Sequence, residues 1–181
     1  AAEAIGKGKA VYISGANGTN QLVSLADYTS EQKSSQTLGL SLQSLAINGI
    51  GQIITQGLIS GLNTSTANAG DPVYLGVNGN LIYGFANKPK APNHLVYIGV
   101  VTRSNINNGE IYVKCSNGWE IDELHDVLIT SLVNKDILYY DSVSGLWKNA
   151  QIASVLGFTP ENVANKSISI TTDQASNTKY P

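Results

Sequence analysis

The sequence predicts a mainly β protein: tandem small antiparallel β units, followed by a β-hairpin module and a short helical linker. Three observations carry that prediction. Asn-Gly, the pair best suited to a tight hairpin turn with two positive φ angles, occurs at Asn17-Gly18, Asn48-Gly49, Asn78-Gly79, Asn108-Gly109 and Asn117-Gly118. Apolar residues alternate along Leu38, Leu40 and Leu42 and along Ile111, Val113 and Cys115, as in a strand with one face turned inward. Helical spacing shows only near the end, at Ile152, Val155 and Leu156.

The first four Asn-Gly pairs recur about every thirty residues, which directs attention to an internal repeat. "GKAVYISGANGTNQLV" is echoed by "GDPVYLGVNGNLI": a Gly, two residues, Val-Tyr, an aliphatic residue, a Gly-bearing turn and a return strand. A longer polar link and a second hairpin follow each, first "LGLSLQSLAINGIGQIITQG" and later "VYIGVVTRSNINNGEIYVKCSNG". The expectation is a tandem β domain over 1–119, with two related units at about 1–65 and 66–119. Val11-Tyr12 and Val73-Tyr74 should then occupy equivalent strands.

After Trp119 the texture changes. Residues 120–150 read as a connector with a compact hairpin: Ile137 to Asp141, a Ser/Gly turn, then Leu146-Trp147-Lys148. "ELHDVLITSLV" fits either a short helix or an extended arm. Residues 151–181 read as a short helical linker. Gly157 is placed to end a first helix in the left-handed conformation. Thr159 and Pro160 are placed as N-cap and first residue of another. The chain holds no methionine, and both ends fall mid-pattern, so an internal piece of a longer protein is expected, with a further region after Pro181.

Composition narrows the function. Hydrophobic residues make up 42% of the 181, enough for a core, whereas charged residues make up only 13%, about half the usual ~25%. A net charge of -2 without a Lys/Arg-rich run argues against a nucleic-acid partner. No apolar run approaches the ~18 residues of a membrane span, so membrane insertion is not expected. Cys115 is alone, so it can form no disulfide within the chain.

Candidate chemistry is sparse. His125 stands with Asp122, Glu123 and Asp126 in "DELHD", but the spacing matches no metal motif, and a solvated turn is the simpler reading. Carboxylate pairs can be drawn from Asp71, Glu110, Asp122 and Glu123, as they can from any chain with 13 acids. There is no Gly-x-Ser-x-Gly elbow, and "GKGK" is not a phosphate-binding loop. The expectation is therefore a protein that is not an enzyme, with no catalytic residue, metal or cofactor. Trp119 and Trp147 sit beside turn glycines, where packing across a hairpin or a subunit boundary is the expected use. Trp147, Ile152, Val155, Leu156 and Phe158 form an apolar surface on elements too short to fold alone. They are the candidate oligomer interface.

"GLWKNAQIASVLGFTPENVANKS", followed by "TKYP", resembles a linker that recurs in bacteriophage tail-fibre proteins. Phe158 stands where many such linkers carry Tyr. The upstream "APNHLVYIGVVTRSNINNGEIYVKCSNGWEIDELHDV" also looks like fibre sequence, and the frame around "GDPVYLG" and "IGVV" is similar, more loosely, to phage capsid-decoration β-barrels. The resemblance implies a structural virion protein: a segment of a homotrimeric fibre that positions a host receptor-binding region. Its partners would be copies of itself, other virion proteins and, through the wider protein, a bacterial surface glycan. Two alternatives stay open, a phage head-fibre or capsid-decoration protein and a carbohydrate-binding module.

Overall fold

The computed structural model describes residues 1–160. The chain divides into two compact units, Ala1–Trp119 and a second beginning at Glu120. The protein is mainly β, built of several antiparallel sheets with a few single-turn helices. The second linker helix expected from Thr159-Pro160 runs into residues 161–181, which lie outside the described residues.

In the first unit, β1 (Ala10–Asn17), β2 (Asn20–Leu25), β3 (Thr37–Ser41) and β4 (Ile53–Ile54) form one sheet in the order β2-β1-β3-β4. A second sheet joins β5 (Gln56–Leu62), β6 (Pro72–Leu75), β7 (Leu81–Tyr83), β8 (Val96–Arg103) and β9 (Gly109–Asn117) in the order β5-β9-β8-β6-β7. β1 is flanked by β2 and β3, as β6 is by β7 and β8.

The correspondence reaches single hydrogen bonds. Val11 pairs with Gly39 and Tyr12 with Thr37 across a bulge at Leu38. Val73 pairs with Gly99 and Tyr74 with Tyr97 across a bulge at Ile98. Gly8 (φ 77°) and Gly70 (φ 93°) turn the chain into β1 and β6. The Gly8 amide donates to Ser41 O at 2.8 Å, and the Gly70 amide donates to Val101 O at 2.7 Å. The Ala26 amide returns to Ala10 O and the Gly84 amide to Pro72 O.

The halves are nevertheless not separate bodies. β5 falls before residue 65 in sequence, yet it pairs with β9 in the second sheet, Ile59 opposite Ile111. One core cluster draws on both halves: Ala10, Ala26 and Leu40 pack with Ile59, Val73, Leu75, Val96, Ile98, Val101, Ile111 and Val113. A smaller cluster holds Ile5, Val11, Val23 and Leu45. A hydrogen-bonded clamp also ties the halves. The turn after β6 carries Asn78 (φ 51°) and Gly79 (φ 67°), the positive pair that the Asn-Gly rule predicts. Its Gly79 amide donates to Ala26 O at 2.6 Å, and its Asn78 amide donates to Asp27 Oδ2 at 3.1 Å.

Three expectations need correction. Leu38 does not share an inward face with Leu40 and Leu42: the bulge at Leu38 turns it onto the smaller cluster, whereas Leu40 and Leu42 pack in the larger one. Helix is not confined to the end of the chain. α1 (Glu31–Ser34) and 3-10 turns at Val77–Gly79 and Phe85–Asn87 fill the links between strands; single turns show no apolar periodicity to read. Asn-Gly marks fewer tight turns than expected. The β1–β2 loop is Gly18-Thr19, closed by the pair Asn17 and Asn20, and Asn117-Gly118 ends β9, with the Gly118 amide donating to Leu95 O.

Cys115 packs against the larger cluster, and burial pushes its thiol up to about 11. Since the thiolate is the reacting species, labelling of Cys115 by a disulfide reagent at pH 8 should be at least tenfold slower in the folded chain than in urea. Equal rates in the two conditions would show that the thiol is not held in the core.

In the second unit, β10 (Val127–Leu128), β11 (Asp136–Asp141) and β12 (Leu146–Gln151) form a sheet in the order β10-β12-β11. β11 and β12 are the expected hairpin, while β10 runs parallel to β12. "ELHDVLITSLV" is thus largely extended: a 3-10 turn ends at Glu123, and β10 follows. α2 (Ile152–Leu156) continues from β12 and ends at Gly157 (φ 75°, ψ 5°), the left-handed cap that the sequence predicts.

Candidate assembly surface

The hairpin is fixed at its turn. Asp141 accepts the Val143 amide at 3.0 Å and the Ser144 hydroxyl at 2.9 Å, and Gly145 (φ 72°) donates its amide to Asp141 O at 2.8 Å. Lys148 Nζ lies 2.6 Å from Asp141 Oδ2. That contact, with those from Ser144 and Val143, holds the Asp141 carboxyl at about 2. At the other end, Asp136 accepts from the Asn149 amide at 2.6 Å and the Val133 amide at 3.1 Å, and from Gln151. Asn149, the Val133 amide and Gln151 lower its carboxyl despite some opposing desolvation.

The β10 edge is extended by a side chain. Asn149 Oδ1 accepts the Thr130 amide at 2.8 Å, and Asn149 Nδ2 donates to Thr130 O at 3.0 Å. The side-chain amide thus stands in for a peptide group and carries the parallel pairing past Leu128.

What this sheet lacks is an interior. None of the described residues from Glu120 onward is buried. All five residues of the candidate interface are exposed: Trp147 41%, Ile152 47%, Val155 38%, Leu156 48% and Phe158 64%. Ile152, Val155 and Leu156 share the single helical stretch α2. Trp147 instead lies on the sheet, where its ring meets Tyr140 edge-on at 5.6 Å.

The pairings place Val127 and Tyr140 on either side of Trp147. Neighbours in register share a face, and Leu138, two residues before Tyr140, lies on that face too. Leu138 and Tyr140 are exposed and are missing from the interface read off the sequence. Their signal was the alternation within "ILYYD", which places Leu138 and Tyr140 together.

Three of the acids considered for chemistry, Asp71, Glu110 and Glu123, serve as structural partners. Glu123 accepts the Glu120 amide at 2.7 Å in a capping box. Asp71 accepts the Asn68 amide, and Glu110 pairs with Arg103 and Thr102. Among the described residues, no three His, Cys, Asp or Glu side chains gather as a metal site. His94 lies 2.8 Å from Glu31, and Trp119 is exposed. No described helix is long and apolar enough to cross a membrane.

Comparison of the chain with protein-family models, curated proteins and solved structures gave no match.

Proposed function

We propose that this chain is a structural segment of a trimeric bacteriophage fibre, with the second unit as its assembly element. The virion assignment rests on the resemblance carried by "GLWKNAQIASVLGFTPENVANKS". The assembly role rests on one observation: a three-stranded sheet and a helical turn without a buried residue, presenting Leu138, Tyr140, Trp147, Ile152, Val155 and Leu156 to solvent. A sheet of this size needs an apolar face covered to be stable. Copies of the same unit supply a matching apolar surface, and fully burying one such side chain contributes roughly 1.5–3 kcal/mol, which offsets part of the cost of association.

In light scattering, the wild-type chain should run as a trimer of its 19.1 kDa protomer. Leu156→Asp brings like charges together in a desolvated site and should shift the mass to monomer, while circular dichroism keeps the β signal of the first unit. A monomeric wild type, or a trimeric Leu156→Asp of unchanged stability, would sink this reading.

A further inference from the structure

Asn-Gly is a reactive pair as well as a turn signal. The backbone nitrogen of the second residue can attack the side-chain carboxamide carbon of the first and close a small ring, and a Gly in that place carries no Cβ to hinder the approach. The chain holds Asn17-Gly18, Asn48-Gly49, Asn78-Gly79, Asn108-Gly109 and Asn117-Gly118. As dipeptides they are equivalent. In the folded chain they differ in what holds the attacking nitrogen and the peptide that must rotate.

Four of the pairs are held. The Gly49 amide donates to Ala46 O at 2.8 Å, the Gly79 amide to Ala26 O at 2.6 Å and the Gly118 amide to Leu95 O at 2.6 Å. The Asn117 side chain is itself engaged, donating from Nδ2 to Ser35 O. Gly109 is buried at the start of β9, where a Cβ would stand 2.7 Å from Leu62 O. The residue before it is tied as well: Asn108 O accepts Arg103 Nε at 2.8 Å, and the Asn108 amide donates to Asn105 Oδ1 at 2.9 Å. At each of these pairs, ring closure has to wait for the local structure to open.

Asn17-Gly18 is the exception. Residues 13–21 are all exposed. Gly18 (φ 61°) begins the loop, and the pair Asn17 and Asn20 closes it. In so short a loop the ladder ends at the closing pair, and the first loop amide points to solvent. Among the described residues, the Gly18 amide and the Asn17 side chain make no hydrogen bond. Nothing lies within 4 Å of where a Gly18 Cβ would stand. Rotating the Asn17–Gly18 peptide therefore disturbs only the last rung of an exposed hairpin.

We propose that Asn17 is a site of spontaneous modification in the folded protein, converted through a succinimide to aspartate and isoaspartate, while folding spares the other four pairs. The Gly18 nitrogen gives its proton to hydroxide and bonds to Asn17 Cγ. The side-chain nitrogen takes a proton from water and leaves as ammonia. Water then opens the ring. Cleavage of the bond from the Gly18 nitrogen to Cγ restores the normal backbone with an aspartate side chain. Cleavage of its bond to the Asn17 carbonyl carbon routes the chain through Cβ and Cγ and leaves isoaspartate. Either product puts a carboxylate on a hairpin whose residues 13–22 carry no charge. Isoaspartate also lengthens the backbone of β1 and costs it the Asn17–Asn20 rung, whereas Val11 and Val23 stay in the smaller core cluster.

The test is incubation of the full chain at mildly alkaline pH in water enriched in heavy oxygen, followed by peptide mapping. Electron-transfer fragmentation tells isoaspartate from aspartate. Asn17 should convert at least about tenfold faster than any of the other four, because opening free energies run from near zero at a frayed tip to the global value in the core. The product should carry a heavy oxygen at residue 17, and an acidic form should grow in ion exchange. In urea the five pairs should convert at rates within about threefold of one another. Asn17→Gln, whose longer side chain would have to close a larger ring, should remove the acidic form and leave the other four pairs as they were. The site lies in the first unit, so the outcome is independent of the fibre reading. An unchanged Asn17, earlier conversion of another pair, a lead for Asn17 that survives in urea, or an acidic form that persists in Asn17→Gln would each overturn the proposal.

Discussion

Gly99→Ala should remove a large part of the stability of the first unit. A Cβ there would stand 2.1 Å from Tyr112 O, 3.0 Å from Tyr112 C and 3.1 Å from Val113 Cα. All three are backbone atoms of the neighbouring β9, so no side-chain rotation relieves the clash. β8 and β9 would have to part where Val100, Val101, Tyr112 and Ile111 pair across the sheet and Ile111 and Val113 fill the core. Over-packing of a core commonly costs 1–3 kcal/mol when side chains can yield; here nothing yields, and a loss of about 3 kcal/mol or more is expected against a typical 5–15 for a domain. Gly39 occupies the equivalent place, with a Cβ 2.0 Å from Ile54 O, and should behave alike. Gly15→Ala is the control, since its Cβ meets nothing within 4 Å. Urea unfolding followed by circular dichroism reads all three; a Gly99→Ala midpoint equal to that of Gly15→Ala would refute the steric account.

Asp27→Ala is the second large expected effect. The residue is 9% exposed. Its carboxylate accepts the Thr29 amide at 2.9 Å, the Thr29 hydroxyl at 2.7 Å and the Asn78 amide at 3.1 Å. Truncation leaves those donors unpaired and frees the turn that ties the two halves. Hydrogen bonds to a charged group are worth ~1.5–3 kcal/mol net and are not additive, so a total of about 3 kcal/mol is expected. Desolvation by itself would raise the Asp27 pKa. The bonds from Thr29 and Asn78, with Lys33 nearby, outweigh it and hold the pKa below the ordinary value. A depressed folded-state pKa means that the stabilisation is complete above the ordinary carboxylate range and is lost as pH falls through the folded value. Wild type should therefore lose stability as pH falls below the ordinary carboxylate value more steeply than Asp27→Asn, which cannot titrate. Parallel pH profiles of the two proteins would count against the clamp.

Local chemistry made the strands legible and hid their partners. The Val-Tyr dipeptides at 11–12 and 73–74 announce strands that take the same pairings, and Gly157 announces a helix end, because each depends on a few adjacent residues. The bulges at Leu38 and Ile98 carry no such mark, so the inward face of β3 could not be assigned by counting in twos. β5 reads as the close of the first half, yet its hydrogen bonds go to β9, some fifty residues on; nothing in "QGLISGL" names that neighbour. The exposed apolar residues of α2 were visible from their helical spacing. Leu138 and Tyr140 were not, because "ILYYD" drew attention as a hairpin arm rather than as an exposed face. The five Asn-Gly pairs read alike for a different reason, since what holds a glycine amide comes from segments that only folding brings together.

The parallel pairing of β10 with β12 bears on how the second unit answers a pull. The chain enters this sheet through β10 and leaves it through β12, which lie side by side and point the same way. Tension between the two ends therefore drags the strands past each other along their length. The bond from the Trp147 amide to Asp126 O, those between the strands and the two that Asn149 makes with Thr130 are strained together. Had β10 and β12 been antiparallel, the same tension would have opened their bonds one after another, as a zipper does. A sheet with little interior is thus arranged to resist stretching along the chain better than its small size suggests, and the Asn149 side chain lengthens the seam that resists.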